Sequence, residues 1–527
     1  MGAFDYIIRG AKVYDGSGSS PRLTDVGITG DRVGAVGDLS GAHGNVIDAS
    51  GLAAAPGFID PHTHSDLPSL LAPLAESRLY AGVTTEIGGN CGFAAGPFLK
   101  PEDQAFLENH DKIEITWRSQ AEFFDRLEAA GSAVNHAFLA GHGNIRHVAM
   151  AGDFDRPATA TEIRRMRAIL AGELAAGAIG MSSGLIYPPG CFATAKEIAE
   201  VASVLADGPL IYATHIRNEG PLLMESLDEA LFISETAACP LHISHLKVYE
   251  RENWHIIDQL RQWWAGRSER AVRISADSYP YTASHTRLDT ILPQWVFEGG
   301  FAAELTRLSC ESEWSRIQRD MPGDDVDDAF WDSIMIASVA SAENRRWQGT
   351  LLSDAAAGMG TSPLEAVRRL LLADKARTMA VFFRMSEANM LDIHKWSDVL
   401  VGSDSAVRAA CGATADGFPH PRACGTTGRA LRLLVRERGV LTLAEAIHRM
   451  TGRVSDIFAL RSRGYLKEGY AADVVVFDPD SITDRATFQN PLAFTVGVRH
   501  LFVNGRPVLT DGAVTGLKPG RLLRHGG

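Results

Sequence analysis

The stretch Leu52-Ala53-Ala54-Ala55-Pro56-Gly57-Phe58-Ile59-Asp60-Pro61-His62-Thr63-His64 is an apolar run that ends on two histidines one residue apart. The run reads as a buried strand, and alternate residues of a strand share a face. His62 and His64 therefore point to one side at the strand's C-terminal end, close enough to share a metal ion. An H-x-H pair alone is common and mostly incidental. Its place at the end of the first long buried strand makes it informative.

The same rhythm recurs down the chain. Short apolar strands are predicted to end near His62, Ile87, Ala140, Ser182, His215, His245, Asp277 and Asp404, and amphipathic stretches such as 161–175 and 196–206 lie between them. Alternating strand and helix implies a parallel sheet. About eight such units fit a (β/α)8 TIM-like barrel of the α/β class, expected over residues 57–459, better than an open doubly wound sheet. The glycine fingerprint of a dinucleotide fold is also missing after the first strand.

The two ends differ from this middle. Short β-like runs with glycine turns fill residues 1–56, and Ala472-Asp473-Val474-Val475-Val476-Phe477-Asp478 and Leu501-Phe502-Val503-Asn504-Gly505 repeat that character. One small composite β domain, 1–56 plus 460–527, is expected, with its N-terminal part antiparallel. Between the seventh and eighth strands lies a long insertion at about 286–396, containing Trp295, Trp314, Trp331 and Trp347. Its position suits a lid over the barrel mouth, and a helical decoration outside the chemistry is the competing reading.

At roughly 150 residues per domain, the length of 527 suggests about three units. Hydrophobic residues at 45% and charged residues at 22% exclude global disorder. A net charge of −13 argues against a general nucleic-acid binder, because phosphate neutralisation needs a basic face. No segment approaches about 18 uninterrupted apolar residues, and residues 1–15 lack the basic and apolar regions of a secretion signal. No membrane partner is expected, and a cytoplasmic location is. The 6 cysteines are too sparse for a disulfide scaffold, whereas 17 histidines suggest metal chemistry. Nothing in the sequence sets an oligomeric state.

Three further candidates sit at later strand ends. His215 follows Leu210-Ile211-Tyr212-Ala213-Thr214, His245 follows residues 240–244, and Asp404 closes Asp398-Val399-Leu400-Val401-Gly402-Ser403. A carboxylate at Asp404 can both touch a metal and exchange protons with water. Each alone is more often a capped strand end, but together they gather on the face that carries the sites of such barrels. His242 would face away in a regular strand and is read as structural.

Cys91 lies in Glu86-Ile87-Gly88-Gly89-Asn90-Cys91-Gly92-Phe93, where the glycines permit close backbone approach and a thiolate can bind a divalent metal. A buried small hydrophobe is the commoner fate of a free cysteine, and the other five keep that reading. Gly180-Met181-Ser182-Ser183-Gly184 matches the G-x-S-x-G elbow of serine hydrolases, with Asp404 and His420 downstream in the right order. The elbow requires a helix next, and the paired prolines of Leu185-Ile186-Tyr187-Pro188-Pro189-Gly190 exclude one.

The chain resembles the amidohydrolase superfamily, and within it the D-aminoacylase (N-acyl-D-amino-acid deacylase) family. The resemblance rests on Gly57-Phe58-Ile59-Asp60-Pro61-His62-Thr63-His64, Gly82-Val83-Thr84-Thr85, Gly89-Asn90-Cys91-Gly92-Phe93, Gly184-Leu185-Ile186-Tyr187-Pro188-Pro189-Gly190, Thr214-His215-Ile216-Arg217-Asn218-Glu219, Ile243-Ser244-His245-Leu246-Lys247, Tyr279-Pro280-Tyr281-Thr282-Ala283-Ser284, Gly402-Ser403-Asp404, His420-Pro421-Arg422 and Glu468-Gly469-Tyr470-Ala471-Ala472-Asp473. These blocks run in order over nearly the whole chain. The Asn-Cys-Gly-Phe block discriminates, because this branch uses a cysteine where most of the superfamily uses a carboxylated lysine.

The resemblance implies a tight Zn2+ site at Cys91, His215 and His245, a second, weaker site at His62 and His64, and Asp404 as metal-contacting general acid/base. It implies that Arg422 and Lys247 hold the free α-carboxylate of a small N-acyl substrate. Tyr279 and Ser284 would donate hydrogen bonds, and Tyr187 would orient the scissile carbonyl. The expected reaction is hydrolysis of a linear amide, N-acyl-D-amino acid plus water to carboxylate plus D-amino acid. A cyclic amide, a dipeptide or an amide-containing toxin as substrate, and a non-catalytic scaffold, are the alternatives. The chain departs from the family pattern at Ser405, at Ala423-Cys424-Gly425-Thr426, over Ser284-His285-Thr286-Arg287-Leu288-Asp289 and in the spacing of Asp404 and Arg422. All lie by the implied substrate pocket, so the reaction class is better supported than the substrate.

Overall fold

The computed structural model describes residues 3–100, 103, 107, 112–321 and 328–525, so residues 322–327 of the expected insertion lie outside the described residues. The chain opens with β1 (Ala3–Val13), β2 (Arg22–Thr29), β3 (Arg32–Gly37), β4 (His43–Asp48) and β5 (Ala53–Pro56). The first three strands form an antiparallel meander, as the glycine turns predict. β4 and β5 instead pair with β1 in parallel, which corrects the antiparallel expectation. The reason lies in the length of β1. Its 11 residues bend at Gly10, where φ is 71° and the register with β2 shifts, so β4 docks on its first part and β5 on its last.

Next come β6 (Phe58–Asp60), β7 (Val83–Gly88), β8 (Asn135–Phe138), β9 (Ala140–Gly141), β10 (Gly180–Gly184), β11 (Ile211–His215), β12 (Leu241–Ile243), β13 (Ile274–Ser278), β14 (Ser284–Arg287), β15 (Ile334–Ser338), β16 (Met379–Phe382) and β17 (Val399–Val401). One parallel sheet runs β6-β7-β8 and another β9-β10-β11-β12-β13-β17. β8 and β9 are two pieces of one strand parted at Leu139, whose N–H donates to Gly88 O at 3.0 Å, while Ile179 N–H donates to Phe138 O at 2.9 Å. At the opposite seam Asp404 N–H donates to His62 O at 2.8 Å, and Thr63 bridges Ser405 in parallel. The strands are buried throughout, and Ile59, Ile87, Leu139, Ile211, Ala213 and Leu400 pack together between them. Double burial makes β17 and the start of β11 read as short apolar runs without alternation, while β7, β8, β10 and β13 bury polar residues as well.

The intervening helices begin where local chemistry dictates. Ala160–Ala176 starts behind Thr159, whose side chain accepts from Glu162 N–H while the Glu162 carboxylate accepts from Thr159 N–H, a capping box. Met166, Leu170 and Leu174 then bury one face, and Gly177 at φ 121° ends the helix. Between β13 and β17, β14, β16 and β15 form an antiparallel sheet in that order, packed with helices around Trp314, Trp331 and Phe382. The chain closes with β18 (Val474–Phe477), β19 (Val498–Val503), β20 (Arg506–Thr510) and β21 (Ala513–Val514). β18 pairs with β5, so strands from both ends share one sheet, β21-β20-β19-β18-β5-β1-β2-β3. Among the described residues no helix is long and apolar enough to cross a membrane.

Candidate active site

The C-terminal ends of the parallel strands bring the sequence-predicted residues to one place. Cys91 Sγ lies 3.4 Å from His62 Nε2 and 3.6 Å from His245 Nε2, which is itself 2.8 Å from His215 Nδ1. Among the described residues, two groups of donor atoms each lie within 4.8 Å of one another: His62, Cys91, His245 and Asp404, and separately His215, Glu219 and His245. This partition differs from the expected one. His245 belongs to both groups, Glu219 enters, and His64 turns its Nε2 to Asp404 Oδ1 at 3.0 Å.

The backbone is bent to make this cluster. Cys91, His245 and Asp404 have φ of 53°, 37° and 49°, a region where non-glycine residues cost about 1–3 kcal/mol each and persist only when their surroundings over-determine them. Glycine supplies the room. A Cβ on Gly184, at the end of β10, would stand 2.1 Å from Cys91 O, so a larger residue there would displace the loop.

Carboxylates behind the histidines fix their orientation. Asp277 Oδ2 lies 3.0 Å from both His62 Nδ1 and His242 Nε2, and its Oδ1 accepts from His245 N–H at 3.0 Å. His242 is thus buried among the strands and not turned away, because the left-handed turn at His245 breaks the alternation after β12. It joins neither donor group and instead steadies Asp277. On the other side Glu219 Oε1 lies 2.9 Å from His245 Nδ1. A histidine whose second nitrogen is held by a carboxylate has its tautomer and ring direction set, leaving Nε2 of His62 and His245 facing Cys91. Asp277 and Glu219 were visible only as a strand-end aspartate and a residue of the block after His215; their partners come from other strands.

The electrostatics fit a cation. Burial opposes ionisation of Cys91, yet the His62 charge and hydrogen bonds from His215, His245 and His62 hold its thiol well below the ordinary value. Burial likewise raises Asp404, and Arg422, His62 and His245 outweigh it and hold the carboxyl well below its usual range. Desolvation lowers His64, and Asp404 and Cys91 overcome it, pushing the ring up to about 9. Anionic groups thus draw His62, His64 and His245 toward protonation, while burial and the His245 charge push His215 the other way, and a divalent cation can take the place of those protons. Thiolate, imidazole and carboxylate together form a donor set of the kind that transition metals favour.

A cavity of about 480 Å³ opens above the cluster, lined by every predicted site residue except His62, which lies beneath it. Arg422 Nη1 is 2.9 Å from Asp404 Oδ2, and its guanidinium stacks 4.5 Å from the Tyr279 ring centre. Lys247 Nζ sits on Glu219 and lies 2.8 Å from His245 Nδ1. Tyr187 bonds Thr286 at 2.9 Å and packs on the His215 ring, and Ser284 bonds Tyr249. Residues from β14 and β16 also line the cavity. Ser182 and Ser183 are consumed by structure: Ser182 bonds the Gly89 and Gly92 backbone, and Ser183 bonds Tyr212 and Thr214. None of these four hydrogen bonds involves a histidine, in keeping with the exclusion of the serine elbow.

Comparison with known proteins agrees. Residues 45–509 match the model of the amidohydrolase family. A D-aminoacylase of Alcaligenes xylosoxydans xylosoxydans is 34% identical over 99% of this chain and 97% of its own. An N-acyl-D-glutamate deacylase of the same organism is 35% identical over 99% and 96%. The crystal structure of N-acyl-D-glutamate deacylase from Bordetella bronchiseptica, complexed with zinc and a phosphonate inhibitor, superposes with a TM-score of 0.84 at 32% identity, covering 99% of this chain and 100% of that one. The architecture is of the TIM-barrel class, and the chain belongs to the amidohydrolase family as a metal-dependent amidohydrolase.

Proposed function

We propose that this chain is a zinc-dependent hydrolase of linear amides that converts an N-acyl-D-amino acid and water to a carboxylate and a D-amino acid. The observation that carries this reading is the position of Asp404, with one oxygen 3.0 Å from His64 and 3.4 Å from His62 and the other 2.9 Å from Arg422. An N-acyl amino acid presents an amide and a carboxylate within a few bonds, and the site offers metal donors and a guanidinium at that separation. The D configuration is supported by the substrates for which the two Alcaligenes relatives are named.

Cys91, His62, His215, His245 and Asp404 would hold zinc, whose chemistry when bound is to lower the pKa of water toward about 7 and polarise the scissile carbonyl. Asp404 takes a proton from the attacking water and returns it to the departing amine nitrogen. Arg422, Lys247, Tyr279 and Ser284 hold the α-carboxylate, and Tyr187 orients the carbonyl. The fold reading extends likewise: a closed (β/α)8 barrel over 57–459, a small β domain from 1–56 plus 460–527, and the 286–396 insertion as a lid. Small-molecule amides are the partners this site suits, and an acidic chain does not suit nucleic acid.

A panel of N-acetyl-D-amino acids, their L enantiomers and cyclic imides tests the reading, with D substrates alone expected to turn over. Arg422→Ala should raise KM for free acids by roughly 10- to 100-fold, the scale of a lost charged hydrogen bond, and leave KM for the methyl esters unchanged. Turnover confined to cyclic imides, or esters hydrolysed by the parent as well as acids, would contradict it.

A further inference from the structure

We infer that Arg78 is a positioning residue that sets the catalytic carboxylate Asp404 and the carboxylate anchor Arg422 relative to one another. The inference rests on the roles just proposed for those two residues. Arg78 lies in the short helix Glu76–Tyr80, outside the cavity, with its side chain 3% exposed. Its guanidinium spreads over two segments. Nη2 donates to Ser405 O at 2.8 Å, one residue past Asp404, and Nη1 donates to Ala423 O at 3.3 Å, one residue past Arg422.

The guanidinium is itself pinned. Nε donates to Glu86 Oε1 at 2.6 Å, and Asp60 Oδ2 lies 3.8 Å from Nη1. The same two carboxylates reach the same loop by other routes: Asp60 Oδ1 accepts from Ser403 N–H at 3.0 Å, and Glu86 Oε1 accepts from Ser65 Oγ, which accepts from Val407 N–H at 3.0 Å. Residues 403–407 are therefore held from three sides around Asp404.

Such support is needed because Asp404 sits at φ 49°, which the loop would relax if released. A buried guanidinium is also costly to desolvate and is retained here with its donors directed at two backbone carbonyls. A lysine can keep the ion pair with Glu86 but presents no planar fork to span both segments.

The test is Arg78→Lys. The variant should keep the parent's zinc content and Tm while kcat falls and KM for a free acid rises together, lowering kcat/KM by roughly 10- to 100-fold. Hydrogen exchange should quicken at the amides of Asp404 and Val407 and stay unchanged in the barrel strands. Unchanged kinetics and protection would overturn the inference, as would losses that fall in step with zinc content or global Tm. Should Arg78→Lys fail to fold, Glu86→Ala removes the acceptor that anchors Nε and carries the same test. A parent inactive on N-acyl amino acids would overturn the proposed function, and the amide protection would still decide the role of Arg78.

Discussion

Asp404 joins the two halves of the site, since one oxygen faces the histidines and the other faces Arg422. Its backbone is strained, and Arg422, His62 and His245 hold its carboxyl in the ionised form that a general base must start from. Asp404→Asn keeps the volume and the hydrogen-bonding reach but removes the basic oxygen. We expect kcat to fall by roughly 10²- to 10⁴-fold with zinc still bound, measured by single-turnover hydrolysis beside metal analysis. An active Asp404→Asn protein would rule out Asp404 as the proton carrier. At this scale the sequence was legible at His62, His215, His245 and Asp404, each at or just past the end of a strand. It was not legible for Asp277, Glu219 and His242, whose roles lie in side-chain partners from other strands.

The helix Ala160–Ala176 shows how an element can carry a cost unrelated to catalysis. Glu173 is 6% exposed on its inner face, one carboxylate oxygen is without a hydrogen-bond partner, and burial pushes its pKa up to about 7. The folded state thus holds a proton that the unfolded chain releases near 4.5. Stability from this group is undiminished below that value, declines as pH rises toward 7, and is lowest above it. Glu173→Gln should therefore raise stability at pH 8 by roughly 2–3 kcal/mol and by much less toward pH 5. Thermal unfolding at the two pH values checks this, and an equal Tm gain at both would contradict it. Elements were readable where burial on both faces produced apolar runs, as in β17 and the start of β11. The parallel pairing of β4 with β1 was not, because strand partners are absent from local periodicity. The sheet β14-β16-β15 was hidden too, since Ser284-His285-Thr286-Arg287 is polar on both faces.

Across the whole molecule, the parallel strands and their helices form a rigid frame that turns residues distant in sequence into one cluster. His62 and Asp404 meet across the seam where Asp404 N–H donates to His62 O. Length and charge bounded the class of protein but said little of the chemistry, which depends on a few strand ends. The substrate was the least legible feature, because the cavity wall is built partly from β14, whose sequence departs from the family pattern. The central claim is zinc-dependent cleavage of an N-acyl-D-amino acid, and the most direct measurement is hydrolysis of the panel of N-acetyl-D-amino acids, each beside its L enantiomer, by chelated protein titrated with zinc. The account predicts negligible activity without metal, activity rising with zinc bound per chain, and none on the L enantiomer. Undiminished activity in the chelated protein, or equal rates on both enantiomers, would contradict it.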